Sequence, residues 1–187
     1  MNPLLLDFPE VFETKRLIIR MPKPGDGKAV YNAIIASKPE LMQWMPFAQN
    51  EQSETDVEVN IREAHISFLK REDLRLLVFL KETGEFIASS ELHRINWSIP
   101  KFEIGYWIDT RYRGKGYMTE AVQGIVDFAF KELKARRLEI RCDSKNLKSR
   151  AIPEKTGFIL EGILKYDDLS ANATKLRDTC IYARFKN

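Results

Sequence analysis

The chain has 187 residues, 44% of them hydrophobic and 30% charged, enough for one substantial core, and a single domain over 1–187 is expected with residues 1–13 as an N-terminal extension. A net charge of +3 is too small to signal a nucleic-acid partner, and no apolar run approaches the roughly 18 residues of a membrane span, so a cytoplasmic protein without a membrane partner is expected. Cys142 and Cys180 lie in apolar runs and read as buried thiols, while His65 and His93 have no ligand spacing around them, so no metal site is expected.

Thr14–Pro22, "TKRLIIRMP", reads as a strand closed by proline, and Asp26 stands where the N-cap of a helix through Ala29, Ile34 and Ile35 belongs. Ser53 and Asp56 have the spacing of a capping box, and Val57, Ile61, Ala64 and Phe68 recur at helical period, which predicts a second helix to about Arg71. "LRLLVFL" and "EFIASSELHRI" flank Glu82-Thr83-Gly84 as a hairpin, and "KFEIGYWI" follows as a strand after Pro100. Met118, Ala121, Val122, Ile125, Ala129 and Leu133 trace one helical face before the strand "LEIRCD", so Lys101–Asp143 is a strand–helix–strand unit of parallel type. A short helix over Asn146–Thr156 and the strands "GFILEGIL" and "DTCIYARF" complete a mixed α/β fold. Pro153 falls inside that short helix, so the Ser149 carbonyl loses its helical donor and needs another partner. Trp44 and Trp97 read as core or rim aromatics.

The stretch "RYRGKGYMTEAV" (Arg111–Val122) crowds Arg111, Arg113 and Lys115 around Gly114 and Gly116 where a strand hands over to a helix. The first amides of a helix have no intrahelical partner, the helix dipole adds positive potential, and the glycines let a ligand approach the backbone. The result is a phosphate cradle in which fixed backbone donors set the geometry and mobile side-chain cations add charge. Lys115 is followed by Gly116 rather than by serine or threonine, and Thr119 stands where a dinucleotide fingerprint needs a third glycine, so neither a Walker A loop nor a Rossmann turn fits.

The pattern Arg111-x-x-Gly114-x-Gly116, after "EIGYWI" and before an amphipathic helix, resembles the acetyl-coenzyme A signature of the GNAT N-acetyltransferase superfamily. A second block, "NLKSRAIPEKTGF", resembles the family's downstream motif at Asn146, Ser149, Ile152, Glu154, Lys155, Gly157 and Phe158. The likeness extends over the whole chain: "TKRLIIR" looks like the family's opening strand, and "EIGYWI" with "IYAR" looks like the RimJ/RimL branch that acetylates ribosomal-protein N-termini. The resemblance implies a central mixed, mostly antiparallel sheet with one splayed parallel pair, flanked by helices. It also implies acetyl-CoA as co-substrate, wedged beside the strand carrying Trp107 and Ile108 and held by Arg111, Arg113, Gly114, Lys115, Gly116, Tyr117, Met118, Asn146 and Ser149. Gly105 fits a bulge that would open the splay, as well as a packing glycine.

Acetyl transfer to an amine needs a neutral amine, donors for the developing oxyanion and a proton for the departing thiolate. Backbone amides near Trp107–Ile108 suit the oxyanion, and Ser149, matching the family's serine, suits the thiolate. Glu103 and Asp168 are the candidate bases, Glu103 ahead, with Tyr166 and His93 as further lining. The expected acceptor is a protein or peptide N-terminus, ribosomal proteins among the candidates, with a homodimer allowed. Two rivals stand beside it. One is a small-molecule amine acetyltransferase of the same fold, which would need an acidic pocket; the other is a silent CoA-binding or RNA-binding module using the cations of Lys131–Arg141.

Overall fold

The computed structural model describes residues 2–186. Its strands are β1 (Val11–Glu13), β2 (Leu17–Arg20), β3 (Leu74–Leu80), β4 (Phe86–Asn96), β5 (Lys101–Ile108), β6 (Arg137–Asp143), β7 (Ile159–Leu169) and β8 (Leu176–Phe185), and its helices are α1 (Gly27–Trp44), α2 (Glu54–Lys70), α3 (Tyr117–Lys131) and α4 (Leu147–Lys155). The strands form one sheet in the order β1-β2-β3-β4-β5-β6-β8-β7, antiparallel except for β5 beside β6. Helices cover both faces because the strands alternate. Leu76, Val78, Phe102, Ile104, Leu138 and Ile140 turn toward the apolar stripe of α3, whose Met118, Ala121, Val122, Ile125 and Ala129 are all buried. On the opposite face Leu77, Phe86 and Trp107 meet Val30, Ala33, Ile34 and Leu41 of α1 and Val57 and Ile61 of α2. Among the described residues no helix is long and apolar enough to cross a membrane.

Several elements differ from the sequence reading. The segment before residue 14 is not a mere extension: β1 adds an edge strand to β2, and Phe12 stacks on Phe128 of α3 with ring centroids 4.5 Å apart. Asp26 occupies the N-cap position of α1 but makes no capping bond, because its carboxylate is held by Arg20 at 2.7 Å and by the Lys23 amide. Glu58 of α2 takes over, accepting from the amides of Gly25 and Gly27 at 2.9 Å each. Gly27 is required there, since a Cβ would lie 2.6 Å from the Glu58 Cα. The Ser53–Asp56 capping box is present, and α2 ends at Arg71 in the left-handed region. β7 runs on through "KYDDL" instead of stopping at Leu164.

The parallel pair opens as expected, by a different device. β5 and β6 are in register only from Lys101 opposite Arg137 to Glu103 opposite Glu139, and then they part. The β4–β5 ladder is continuous from His93 opposite Glu103 to Ala88 opposite Ile108, so Gly105 carries no bulge. It is a packing glycine, since a Cβ there would come 3.0 Å from Glu91 Oε1 and 3.5 Å from His93 Nε2. Beyond Glu139, β6 follows β8, to which it is paired as far as Asp143 opposite Thr179.

Candidate functional site

At the start of α3 the backbone leaves a row of donors unpaired among the described residues. Gly114 and Gly116 hold φ of 76° and 78°, and the amides of residues 114–119 donate to no protein acceptor among the described residues. The loop cations are less free than the sequence suggested. Arg111 grips the fully buried Asp109 through its guanidinium, with Nε 3.0 Å from Oδ1, while its own amide donates to the same oxygen at 3.0 Å. Arg113 reaches Glu40 of α1 at 2.7 Å. Both therefore brace the loop, and Lys115, 5.6 Å from the Tyr112 ring, is the loop cation without a carboxylate partner among the described residues. Met118 is buried in the core, so only its amide faces the cradle.

Sequence reasoning missed the residue that ties this loop down. Arg16, just before β2, donates from Nη1 to the Lys115 carbonyl at 3.0 Å and lies 4.4 Å over the Tyr117 ring. Glu120 of α3 holds it, and also accepts from Thr14 Oγ1 at 2.6 Å. Burial pushes the Glu120 carboxyl up, but the bonds from Thr14 and Arg16 outweigh it and leave it below its ordinary value. About a hundred residues separate these partners, and no local pattern marks the pair.

The gap between β5 and β6 brings the chemistry-bearing groups together. Asp109 donates its amide to Ile87 on β4, so by strand alternation the Trp107 amide turns the same way and the Ile108 amide faces the gap. Across that gap, Ser149 sits in the first turn of α4, where Asn146 accepts from its amide at 3.1 Å. Asn146 is therefore engaged as a helix cap. The Ser149 carbonyl, which Pro153 deprives of its helical donor, accepts from the Tyr106 hydroxyl at 2.9 Å, and Ser149 Oγ in turn donates to that hydroxyl at 3.3 Å. Burial pushes the pKa of the Tyr106 phenol well up from its ordinary value, so it stays protonated. Cys142 is close by, and burial pushes its thiol up to about 11, which disqualifies it as an acyl-accepting nucleophile near neutral pH.

Glu103 stands at the last paired rung before the gap, on the sheet face opposite Tyr106. It is 8% exposed, with His93 Nε2 at 3.5 Å and Arg94 Nε at 3.7 Å. Among the described residues its carboxylate accepts no hydrogen bond, although both groups stand close to it. The other buried carboxylates differ: Asp109 is held by Arg111, and Glu139 by Lys101 at 2.8 Å and Arg137 at 2.6 Å. Asp168 lies in the edge strand β7, bonded to the Leu169 amide at 2.8 Å and to Arg177 at 2.7 Å, and these hold its carboxyl below the ordinary range. Arg94 also lowers it, so both candidate carboxylates share that cation's field. Tyr166 is 72% exposed on the same edge strand. Trp97 is a rim aromatic, edge-on to Phe102 at 5.1 Å with its indole N–H on the Arg71 carbonyl. Trp44, 36% exposed, closes α1 at the surface.

Comparison with known proteins agrees with this fold. The Bacillus subtilis protein YdaF is 34% identical over 151 residues, covering 79% of this chain and 80% of its own. The ribosomal-protein-serine acetyltransferase of Escherichia coli is 30% identical over 157 residues, 84% of this chain and 86% of that one. Among solved structures, RimL, a ribosomal L7/L12 alpha-N-protein acetyltransferase in complex with coenzyme A, shares the fold with a TM-score of 0.87 at 21% identity, over 94% of this chain and 98% of that one. The model of the acetyltransferase (GNAT) domain matches residues 16–159, from the arginine that ties the cradle to the first residue of β7, and the chain belongs to that family of N-acetyltransferases.

Proposed function

We propose that this acetyltransferase moves the acetyl group of acetyl-CoA onto the N-terminal α-amine of a protein, with a cytoplasmic ribosomal protein as the leading substrate. The observation that carries the mechanism is that Glu103, at the closed end of the β5–β6 gap, and Ser149 lie on opposite faces of the sheet. A thioester lying in that gap meets the amine from the Glu103 face, and its sulfur leaves toward Ser149. The amine nitrogen bonds to the acetyl carbon and the carbon–sulfur bond breaks. Glu103 takes the surplus amine proton through water, Ser149 gives its hydroxyl proton to the sulfur, and water returns a proton from Glu103 to Ser149. The net products are an N-acetyl amide and the free thiol. The Ile108 amide is the fixed donor best aimed at the developing oxyanion, and the 114–119 amides would hold the pyrophosphate.

The choice of amine follows from acidity. An α-amine of pKa about 8 costs about 1.4 kcal/mol to deprotonate at pH 7, whereas a lysine at about 10.4 costs roughly 4.6. Glu103 works through water beside His93 and Arg94, a weak arrangement that suffices for the first and not for the second. The test is thiol release from acetyl-CoA with peptides beginning in serine or alanine, the same peptides N-terminally blocked, and spermidine. Turnover confined to the free peptides is expected; turnover of spermidine alone would replace this reading with the small-molecule one.

A further inference from the structure

Tyr106 belongs to the half of β5 that has lost its parallel partner, yet its hydroxyl crosses to α4 and makes two hydrogen bonds with Ser149. In an uninterrupted helix the Ser149 carbonyl would accept from the amide of residue 153, and proline has no amide hydrogen. The tyrosine hydroxyl fills that vacancy from another element of the fold. It donates to the carbonyl and accepts from Oγ, so both the backbone and the side chain of Ser149 are fixed by one phenol. That phenol stays protonated, because burial makes it much less acidic than an exposed tyrosine.

We infer that Tyr106 is a positioning residue for the acetyl transfer: its hydroxyl supplies the bond that Pro153 removes and so sets where Ser149 Oγ stands across the gap. This rests on the reading of Ser149 as proton donor to the leaving sulfur. Tyr106 need not exchange a proton in the reaction: the single Ser149 hydroxyl hydrogen turns from the phenol oxygen, 3.3 Å away, to the departing sulfur. Its contribution is to keep α4 and β5 at a fixed separation at the point where the thiolate departs. The arrangement depends on the proline, so Pro153 and Tyr106 act as a matched pair.

The experiment compares kcat and the KM for acetyl-CoA in wild type, Tyr106→Phe, Pro153→Ala, the double variant and Ser149→Ala, on one N-terminal peptide. Phenylalanine keeps the ring that packs against the core, and thermal unfolding monitors the fold of each variant. Tyr106→Phe is expected to lower kcat about five- to tenfold, the loss expected of one or two hydrogen bonds, with KM within about twofold. In the double variant an amide at position 153 again serves the Ser149 carbonyl, and most of the lost kcat is expected to return relative to Pro153→Ala. A merely structural tyrosine would show no such rescue. Ser149→Ala impaired while Tyr106→Phe keeps wild-type kcat would overturn the Tyr106 role and leave Ser149 standing. Tyr106→Phe impaired but not rescued by alanine at 153 would likewise overturn it. Ser149→Ala at wild-type kcat would overturn both.

Discussion

Glu120 holds Arg16 from the first turn of α3, with Oε2 2.6 Å from the guanidinium Nε and Oε1 2.7 Å from the Arg16 amide. Through Arg16 Nη1 on the Lys115 carbonyl, this pair ties the N-terminal edge of the sheet to the cradle loop. Replacing Arg16 with alanine or Glu120 with glutamine should loosen the amides proposed to hold the cofactor phosphates. The expected result is an affinity for coenzyme A lower by about tenfold, as for loss of a charge-assisted hydrogen bond, with kcat at saturating acetyl-CoA little changed. Calorimetric titration measures the first and steady-state kinetics the second. Unchanged affinity would show that the loop holds its shape without the pair.

The two carboxylates differ in a way kinetics can separate. Glu103 is buried beside His93 and Arg94 but accepts no hydrogen bond among the described residues, whereas Asp168 is already bonded to Arg177 and the Leu169 amide. Glu103→Gln should lower kcat/KM about a hundredfold, the lower end for loss of a general base, and Asp168→Asn should change it only a few-fold. The reverse order would move the base to the β7 edge.

A different carboxylate governs stability. Burial, with the Glu91 charge nearby, raises Asp73 from an ordinary 3.8 to about 6, against smaller opposing effects of His93 and Arg75. Between those two values the folded chain holds a proton the unfolded chain has released, so this group lowers stability as pH rises through that window. The gap corresponds to roughly 3 kcal/mol at most, and solvent screening at a half-buried carboxyl brings it to about 1–2 kcal/mol. Asp73→Asn should therefore unfold at higher denaturant concentration than wild type at pH 7.5, with the advantage gone at pH 4. Equal midpoints at both pH values would contradict the assignment.

Much of this was legible because it is local. The Ser53–Asp56 box, the buried stripe of α3, the hairpin at Gly84 and the two glycines at the cradle all follow from neighbouring residues whose spacing carries the geometry. What escaped depends on partners far apart in the chain. Glu58 rather than Asp26 caps α1 because Arg20 reaches Asp26 first. Arg16 meets Glu120 only once β2 lies beside α3. A missing helical bond at Ser149 could be read from Pro153, but the identity of its replacement required the fold. Gly105 stayed ambiguous because a glycine in a strand signals either a bulge or a crowded neighbour, and the fold supplies Glu91 as the neighbour.

The most direct test uses one peptide with a free N-terminal serine and a single internal lysine, incubated with acetyl-CoA between pH 6 and 9, with the acetylated position assigned by fragmentation mass spectrometry. The account predicts acetylation at the N-terminus, with kcat/KM rising with pH and levelling near the peptide's own amine pKa of about 8. Acetyl placed on the lysine, or faster turnover of the peptide once its N-terminus is blocked, would contradict it.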